Sequence, residues 1–390
     1  MRHERQVELL RRLKDVYSQS SWPQSSWPLA DACMRNNASA YVDPARFEDE
    51  RRVLFRRHPQ LLGMSRECAE AGSHMTADLG GVPVVVVRQR DGSLKGFVNA
   101  CQHRGAPLVT GNGPARPRLS CPYHGWVYDL DGSLHSRPYA ERAFEDVPKA
   151  GCSLHPVSVA EGYGLVFAQA EGGEGLTADR ALCGAEVEIA HYGLENYVLT
   201  EARETTWNFN WKLFLDTFTE SYHIRTLHRN SIAATYLSDI SICDAFGPHP
   251  RMIGLLKSVF DEISKPSEAD WNFLPHTTTQ YIFMPSGLIT YQRDHVEMWR
   301  VTPLAVDRTL VRTSLFAPEA PTTDKARAYW KTNLDMLLDV TGREDFPLVT
   351  QIQRNLASGA LPEVVYGRNE PALIHLHRSI NAALAAERPT

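Results

Sequence analysis

Apolar and polar positions change their period along the chain. Residues 3–18 and 43–58 carry charged and apolar residues at helical spacing, and Asp43 followed by Pro44 reads as an N-cap with proline at the first helical position. Between them "SSWPQSSWPLAD" (20–31) breaks the helix with prolines and serines. From about residue 74 to 170 the period shortens to that of strands, in "GVPVVVVRQRDGSLKGFVNAC", "LSCPYHGWVYDLDGSL" and "GYGLVFAQ", with Asp-Gly turns at 91–92 and 131–132. This predicts a small all-β module of hairpins, followed by a Gly-rich link at 171–176. Beyond the link, 205–228 carries apolar positions at helical spacing, 280–304 and 309–318 read as antiparallel strands, and 324–342 reads as a helix. The expected fold class is α+β: an N-terminal all-β domain, then a larger α+β domain with an antiparallel sheet flanked by helices. The expected boundaries are a helical extension at 1–44, the β domain at 45–170 and the larger domain at 171–390.

Composition mainly excludes. A chain of 390 residues exceeds what one core usually holds, so two domains are expected. A net charge of −5 offers no basic surface for nucleic acid or an anionic membrane. No stretch of about 18 apolar residues appears, and the start, "MRHERQVELLRRLKDVYSQ", lacks the apolar run of a secretory signal, so a cytoplasmic location is expected. There is no G-x-G-x-x-G or Walker sequence to hold a nicotinamide, flavin or nucleotide. Cys33, Cys68, Cys101, Cys121, Cys152, Cys183 and Cys243 are odd in number and scattered, unlike a disulfide framework. Only Cys101 and Cys121 have histidines at metal-ligand spacing.

Those two lie in "CQHRGAPLVTGNGPARPRLSCPYHGW" (101–126), where a Cys-x-His pair precedes a Cys-x-x-His pair. Zinc accepts two thiolates and two imidazoles, but its sites usually pair Cys with Cys and His with His along the chain. A Rieske [2Fe–2S] cluster puts two Cys on one iron and two His on the other, so each loop must supply one ligand of each kind. Alternation is what that cluster requires.

A second candidate lies in "DTFTESYHIRTLH" (216–228), which contains Glu220, His223 and His228. On an ideal helix the two histidines stand about 140° apart, so they share an ion only if the helix loosens or ends between them. Two His and one carboxylate form the facial triad of non-haem iron oxygenases, although such a pair standing alone is usually structural.

With Cys101-x-His103-Arg104-Gly105, Cys121-Pro-Tyr123-His124-Gly125-Trp126 and Asn210-Trp211-Lys212 ahead of Glu220-Ser-Tyr-His223 and His228, the chain resembles the catalytic alpha subunit of the Rieske non-haem iron (ring-hydroxylating) oxygenases from about 45 to 355. The resemblance implies a [2Fe–2S] cluster on Cys101, His103, Cys121 and His124, and a mononuclear Fe(II) on His223, His228 and a later Asp. In "GREDFPLVTQIQRNLASG" (342–359) Asp345 fits that third ligand better than Glu344, Asp339 or Asp335. Tyr123 is expected near a cluster sulfur, with Trp126 packed over the loop. Glu220 occupies the place of the family's acidic bridge to a neighbouring subunit's cluster; that residue is more often Asp, though some members acting on quaternary amines carry Glu. Asp216, one helical turn earlier, is expected on the same side as Glu220, either supporting it or simply solvated.

The implied function is a terminal oxygenase that uses O₂ and electrons from an NAD(P)H-dependent reductase or ferredoxin to mono- or dihydroxylate, or demethylate, a small aromatic or hydrophobic substrate. A quaternary-amine monooxygenase is the alternative within the family. The implied assembly is a head-to-tail homotrimer, with or without a beta subunit. Two other classes compete: a Rieske electron-transfer protein with a non-catalytic binding domain, and a zinc-stabilised binding module.

Overall fold

The computed structural model describes residues 1–18 and 28–387, in two compact units. One comprises Arg51–Ala181 with Leu194–Tyr197; the other comprises Met1–Glu50, Leu182–Gly193 and Val198–Thr390. Most of the Ser/Pro-rich break expected after the first helix lies outside the described residues. No described helix is long and apolar enough to cross a membrane.

The first unit is built on a six-stranded antiparallel sheet, in the order Gln60–Met64, Leu165–Gln169, Pro156–Gly162, Leu94–Val98, Pro83–Arg88, His74–Asp78. A smaller sheet joins Leu119–Ser120, Val127–Tyr128 and Leu134–Ser136. The run Val84 to Val87 is apolar throughout because both faces of its strand are covered. Val84 and Val86 pack with Leu62, Met75 and Val166 on one side. On the other, Val85 and Val87 pack with Phe97, Leu119, Trp126 and Tyr128 around Cys101 and Cys121. Alternate residues of one strand therefore build the floor under both metal-ligand loops.

The second unit centres on a seven-stranded antiparallel sheet: β1 (Val198–Trp207), β2 (Tyr236–Phe246), β3 (His249–Leu256), β4 (Thr277–Phe283), β5 (Gly287–Tyr291), β6 (Val296–Ala305) and β7 (Arg308–Ala317), in the order β1-β7-β6-β5-β4-β3-β2. Its longer helices are α1 (His3–Ser18), α2 (Trp211–Phe218), α3 (Asp324–Val340), α4 (Phe346–Ala357) and α5 (Pro371–Ala386). The N-terminal segment belongs to this unit, where Gln6 Oε1 accepts from the Phe273 backbone N–H at 3.0 Å.

The sequence read 205–228 as helical, but Thr205, Thr206 and Trp207 end β1, paired with Val311, Leu310 and Thr309. Their β-branched and aromatic side chains suit a strand. The helix starts only after Asn210, whose side chain accepts from the Lys212 N–H at 3.1 Å. It lays Phe214 and Phe218 against Trp299 of β6, ring centroids 5.8 and 5.2 Å away. Lys212 is fully buried and paired with the equally buried Glu50, which also accepts from Trp211 Nε1 at 3.0 Å. Between α3 and α4 the chain widens into a π-helical turn, Thr341–Asp345. Pro347 follows two residues after Asp345; it has no N–H to give and its ring crowds the turn before it, a common cause of such irregularity.

Candidate active site

The two loops of the first unit are built alike. Gly105 and Gly125 each stand four residues after a cysteine, with φ of 76° and 69°, and donate N–H bonds of 2.8 and 3.2 Å to the carbonyls of Cys101 and Cys121. A side chain there would be strained, so glycine closes each loop and turns its histidine back toward the other. Both cysteines are buried, whereas His103 is part-exposed and His124 exposed. The Nδ1 atoms of the histidines face each other at 3.1 Å. Burial pushes the Cys101 thiol up, and the Tyr128 hydroxyl at 3.3 Å from its sulfur works the other way. Partial burial and the neighbouring His124 and Arg104 hold the pKa of His103 below its ordinary value, keeping the imidazole neutral and free to ligate. Trp126 is buried and stacks on His103 at 5.1 Å. Tyr123 is 57% exposed and lies against His124; the hydroxyl at a cysteine sulfur belongs to Tyr128 instead.

In the second unit, the helix carrying Asp216 ends at Phe218, and only a single turn, Ile224–Leu227, separates His223 from His228. That break removes the angular obstacle of an i,i+5 pair. His223, His228 and Asp345 offer ligand atoms all within 4.8 Å of one another. Asp345 Oδ1 lies 3.2 Å from His228 Nε2 and 3.6 Å from His223 Nε2. It is buried and makes no hydrogen bond, as expected of an atom whose partner is a cation.

Each imidazole is held from behind. His223 Nδ1 pairs with Glu220, which also accepts the backbone N–H of His223 at 3.1 Å. His228 Nδ1 pairs with Glu344 at 2.5 Å, and Glu344 accepts from Ser231 Oγ at 2.8 Å. A carboxylate on Nδ1 fixes the proton there and leaves the Nε2 lone pair pointing at the ion. Burial lowers the pKa of both histidines, but the facing carboxylates outweigh it and the net direction is upward.

Asp216 is not brought to the ligands. Its carboxylate accepts from Tyr41 Oη at 2.5 Å and pairs with His377 Nε2 at 2.8 Å, in a buried network with Tyr366 and Asn36. Because α2 stops before Glu220, the one-turn relation between the two acids does not carry through to the site.

Two families match, and they divide the chain as the two sites do. The Rieske [2Fe-2S] domain matches residues 58–155, and the ring hydroxylating alpha subunit (catalytic domain) matches 194–386. The chain belongs to the Rieske oxygenases. It is similar to the carnitine monooxygenase oxygenase subunit of Escherichia coli (strain K12), 28% identical over 343 residues and 86% of each chain. It is also similar to the biphenyl 2,3-dioxygenase subunit alpha of Rhodococcus jostii (strain RHA1), 31% identical over 214 residues, 53% of this chain and 46% of that one. Among solved structures, a quaternary ammonium Rieske monooxygenase in complex with L-carnitine shares the fold with a TM-score of 0.77 at 21% identity, covering 90% of this chain and 96% of that one.

This Rieske oxygenase is thus an oxidoreductase with a [2Fe–2S] cluster and a mononuclear iron, and its family implies an external electron donor and a multimeric assembly. Sequence reasoning passed over Glu344 as the weaker ligand candidate and did not single out Tyr128. The signal available for Glu344 was its place beside Asp345 in a turn that presents both acids to one site. For Tyr128 there was only its distance of two residues from Trp126.

Proposed function

We propose that this oxygenase subunit monooxygenates a small quaternary ammonium compound, and that arenes are not its substrates. The observation that carries the reading is Glu220 on His223 Nδ1, the longer acid that some members acting on quaternary amines carry at this place. The similarity to the carnitine monooxygenase subunit over 86% of both chains supports it. In this reading the cluster on Cys101, Cys121, His103 and His124 supplies electrons singly, and the iron on His223, His228 and Asp345 supplies the place where O₂ is activated.

The chain's own residues set orientation and protonation. Glu220 and Glu344 hold the Nδ1 protons of His223 and His228, so both Nε2 atoms stay available. Asp216 acts as a positioning residue: tied to Tyr41 and His377, it anchors the last turn of α2, four residues before Glu220. The exposed edge of His124 is the outlet for an electron. A head-to-tail homotrimer, a heterologous contact closed by rotation, would bring that edge to Glu220 of the next protomer. The electron source would be an NAD(P)H-dependent reductase, directly or through a ferredoxin.

The test is iron and sulfide analysis together with substrate-stimulated O₂ uptake, using L-carnitine and biphenyl as the two arms. About three irons and two sulfides per chain are expected, with uptake raised by the ammonium compound. Stimulation by biphenyl alone would sink the substrate reading. Two irons and two sulfides in anaerobically purified, iron-loaded protein would sink the oxygenase mechanism.

A further inference from the structure

Among the described residues of the second unit, five buried side-chain polar atoms have no hydrogen-bond partner: Trp271 Nε1, Gln280 Oε1, Thr290 Oγ1, Trp299 Nε1 and Asp345 Oδ1. The iron accounts for Asp345. Trp271 lies elsewhere, under Lys14 of α1. The other three are neighbours. Gln280 of β4 stands directly opposite Thr290 of β5, Thr290 stands opposite Glu297 of β6, and Trp299 follows Glu297 by two residues. Opposed positions and i, i+2 positions share one face of a sheet.

Aromatic and hydroxyl contacts show which face this is. Trp299 meets Phe214 and Phe218 of α2, and its ring lies 6.5 Å from that of Phe346, the residue after Asp345. Ser221, two residues before His223, donates to Ser241 of β2 at 3.3 Å. Ser241 stands opposite Gly254, which stands opposite Thr278, two residues before Gln280. The three unpartnered groups therefore lie on the face covered by the segments that carry the iron ligands.

Polar neighbours on that face are satisfied. Thr278 bonds Tyr236 at 2.7 Å and Gln292 at 3.1 Å, and Glu297 accepts from Gln292 at 3.2 Å. His295 Nε2 approaches Glu297 at 3.4 Å; burial disfavours its charged form, but Glu297 and Asp294 outweigh this and raise its pKa. Glu297 is thus matched and does not present a bare negative charge. Thr290 and Trp299 are 1% and 0% exposed, so their bare donors oppose folding unless something binds them. Gln280 is part-exposed, although its Oε1 is buried.

We infer that Gln280, Thr290 and Trp299 form the polar end of the substrate site and hold a hydrogen-bond-accepting oxygen of the substrate, as carboxylate, carbonyl or hydroxyl. The indole N–H can only donate, the threonine hydroxyl can donate, and exchange of the two ends of the Gln280 amide would put its NH₂ where the unpartnered Oε1 stands. Phe214 and Phe218 stand beside Trp299 as apolar surface for the rest of the molecule. The inference rests on the oxygenase reading and narrows its substrates to oxygen-bearing molecules over bare hydrocarbons.

Paired probes that differ in the accepting oxygen test it: glycine betaine against tetramethylammonium, choline against ethyltrimethylammonium, benzoate against benzene. Binding is measured by calorimetry on the oxidised, iron-loaded protein, so no turnover is needed. In at least one pair the oxygen-bearing member should bind more tightly by about tenfold or more, and Thr290→Val and Trp299→Phe should each remove roughly a tenfold part of that gap. Both variants should keep the iron content of the parent. Thr290→Val, nearly isosteric and free of the unpartnered hydroxyl, should also melt no lower than the parent. Equal binding within every pair, no binding by any probe, or discrimination that survives in both variants would overturn the inference. Discrimination in the benzoate pair alone would uphold it while removing the quaternary ammonium reading.

Discussion

Glu344 offers the sharpest test of how the iron is held. Its carboxylate meets His228 Nδ1 at 2.5 Å and Ser231 Oγ at 2.8 Å, and its side chain is 27% exposed. A hydrogen bond to a charged group contributes about 1.5–3 kcal/mol, and partial exposure points to the lower half of that range. Glu344→Ala should therefore weaken Fe(II) binding by roughly 10–30-fold, within the span typical of residues behind a metal ligand. Glu344→Gln still accepts from Nδ1 but without the charge, and should lose about half of that free energy. Ser231→Ala removes only one donor to Glu344 and should have a smaller effect than either. The assay is anaerobic competition for Fe(II) against a chromophoric chelator, with the visible absorbance of the cluster as an internal control on folding. If Glu344→Ala competes as well as the parent while its cluster spectrum is intact, the carboxylate does not set the imidazole and the reasoning fails.

Other substitutions probe separate parts of the molecule. Lys212→Met removes one of the two cations on the buried Glu50 carboxylate, leaving Arg46 Nε at 2.9 Å and Trp211 Nε1 at 3.0 Å, and should destabilise by about 1.5–3 kcal/mol; calorimetric unfolding that matches the parent would show that the pair is not what holds α2. Tyr128→Phe removes the hydroxyl 3.3 Å from Cys101 Sγ and should make the cluster's midpoint potential more negative, since a hydrogen bond to sulfur favours the reduced form; a redox titration followed by EPR decides it. Glu370 is pushed up to about 7, chiefly by burial and then by Glu220 and Asp216. A carboxyl raised in the folded state favours folding fully below its unfolded value of about 4.5 and loses that contribution as pH rises through about 7. Glu370→Gln should accordingly raise Tm relative to the parent at pH 8 and not at pH 4, and an equal shift at both would contradict this. Asp345→Ala should abolish O₂ uptake and leave the cluster spectrum unchanged; turnover at the parental rate would remove Asp345 from the ligand set.

What the sequence made legible was whatever chemistry ties to spacing. Two thiolates and two imidazoles serving two irons impose alternation, so Cys101, His103, Cys121 and His124 announce themselves in 26 residues of sequence. The runs of valine and the Asp-Gly turns announce the β module for an equally local reason. Partners chosen by tertiary geometry leave no such trace. Glu344 reaches His228 across 116 residues, and Tyr41 reaches Asp216 across 175. Asp216 looked like a companion of Glu220 because helical spacing was extended past Phe218, where the helix in fact ends. Tyr123 looked nearer the cluster than Tyr128 because loop direction is invisible in one dimension.

The Gln280, Thr290 and Trp299 row lies between these cases. Alternation along β4, β5 and β6 can place such residues on a common face, but only the contact of Trp299 with Phe214 and Phe218 shows that this face looks toward the iron. The ligand positions answer to the metal, whose demands are fixed, whereas the sheet row answers to the substrate. Substitutions along the row should therefore change which molecule binds while the iron affinity stays constant, and substitutions at Glu344 should do the reverse. Measuring both quantities on both sets of variants separates the two layers of the site, because a residue that belonged to both would move both numbers together.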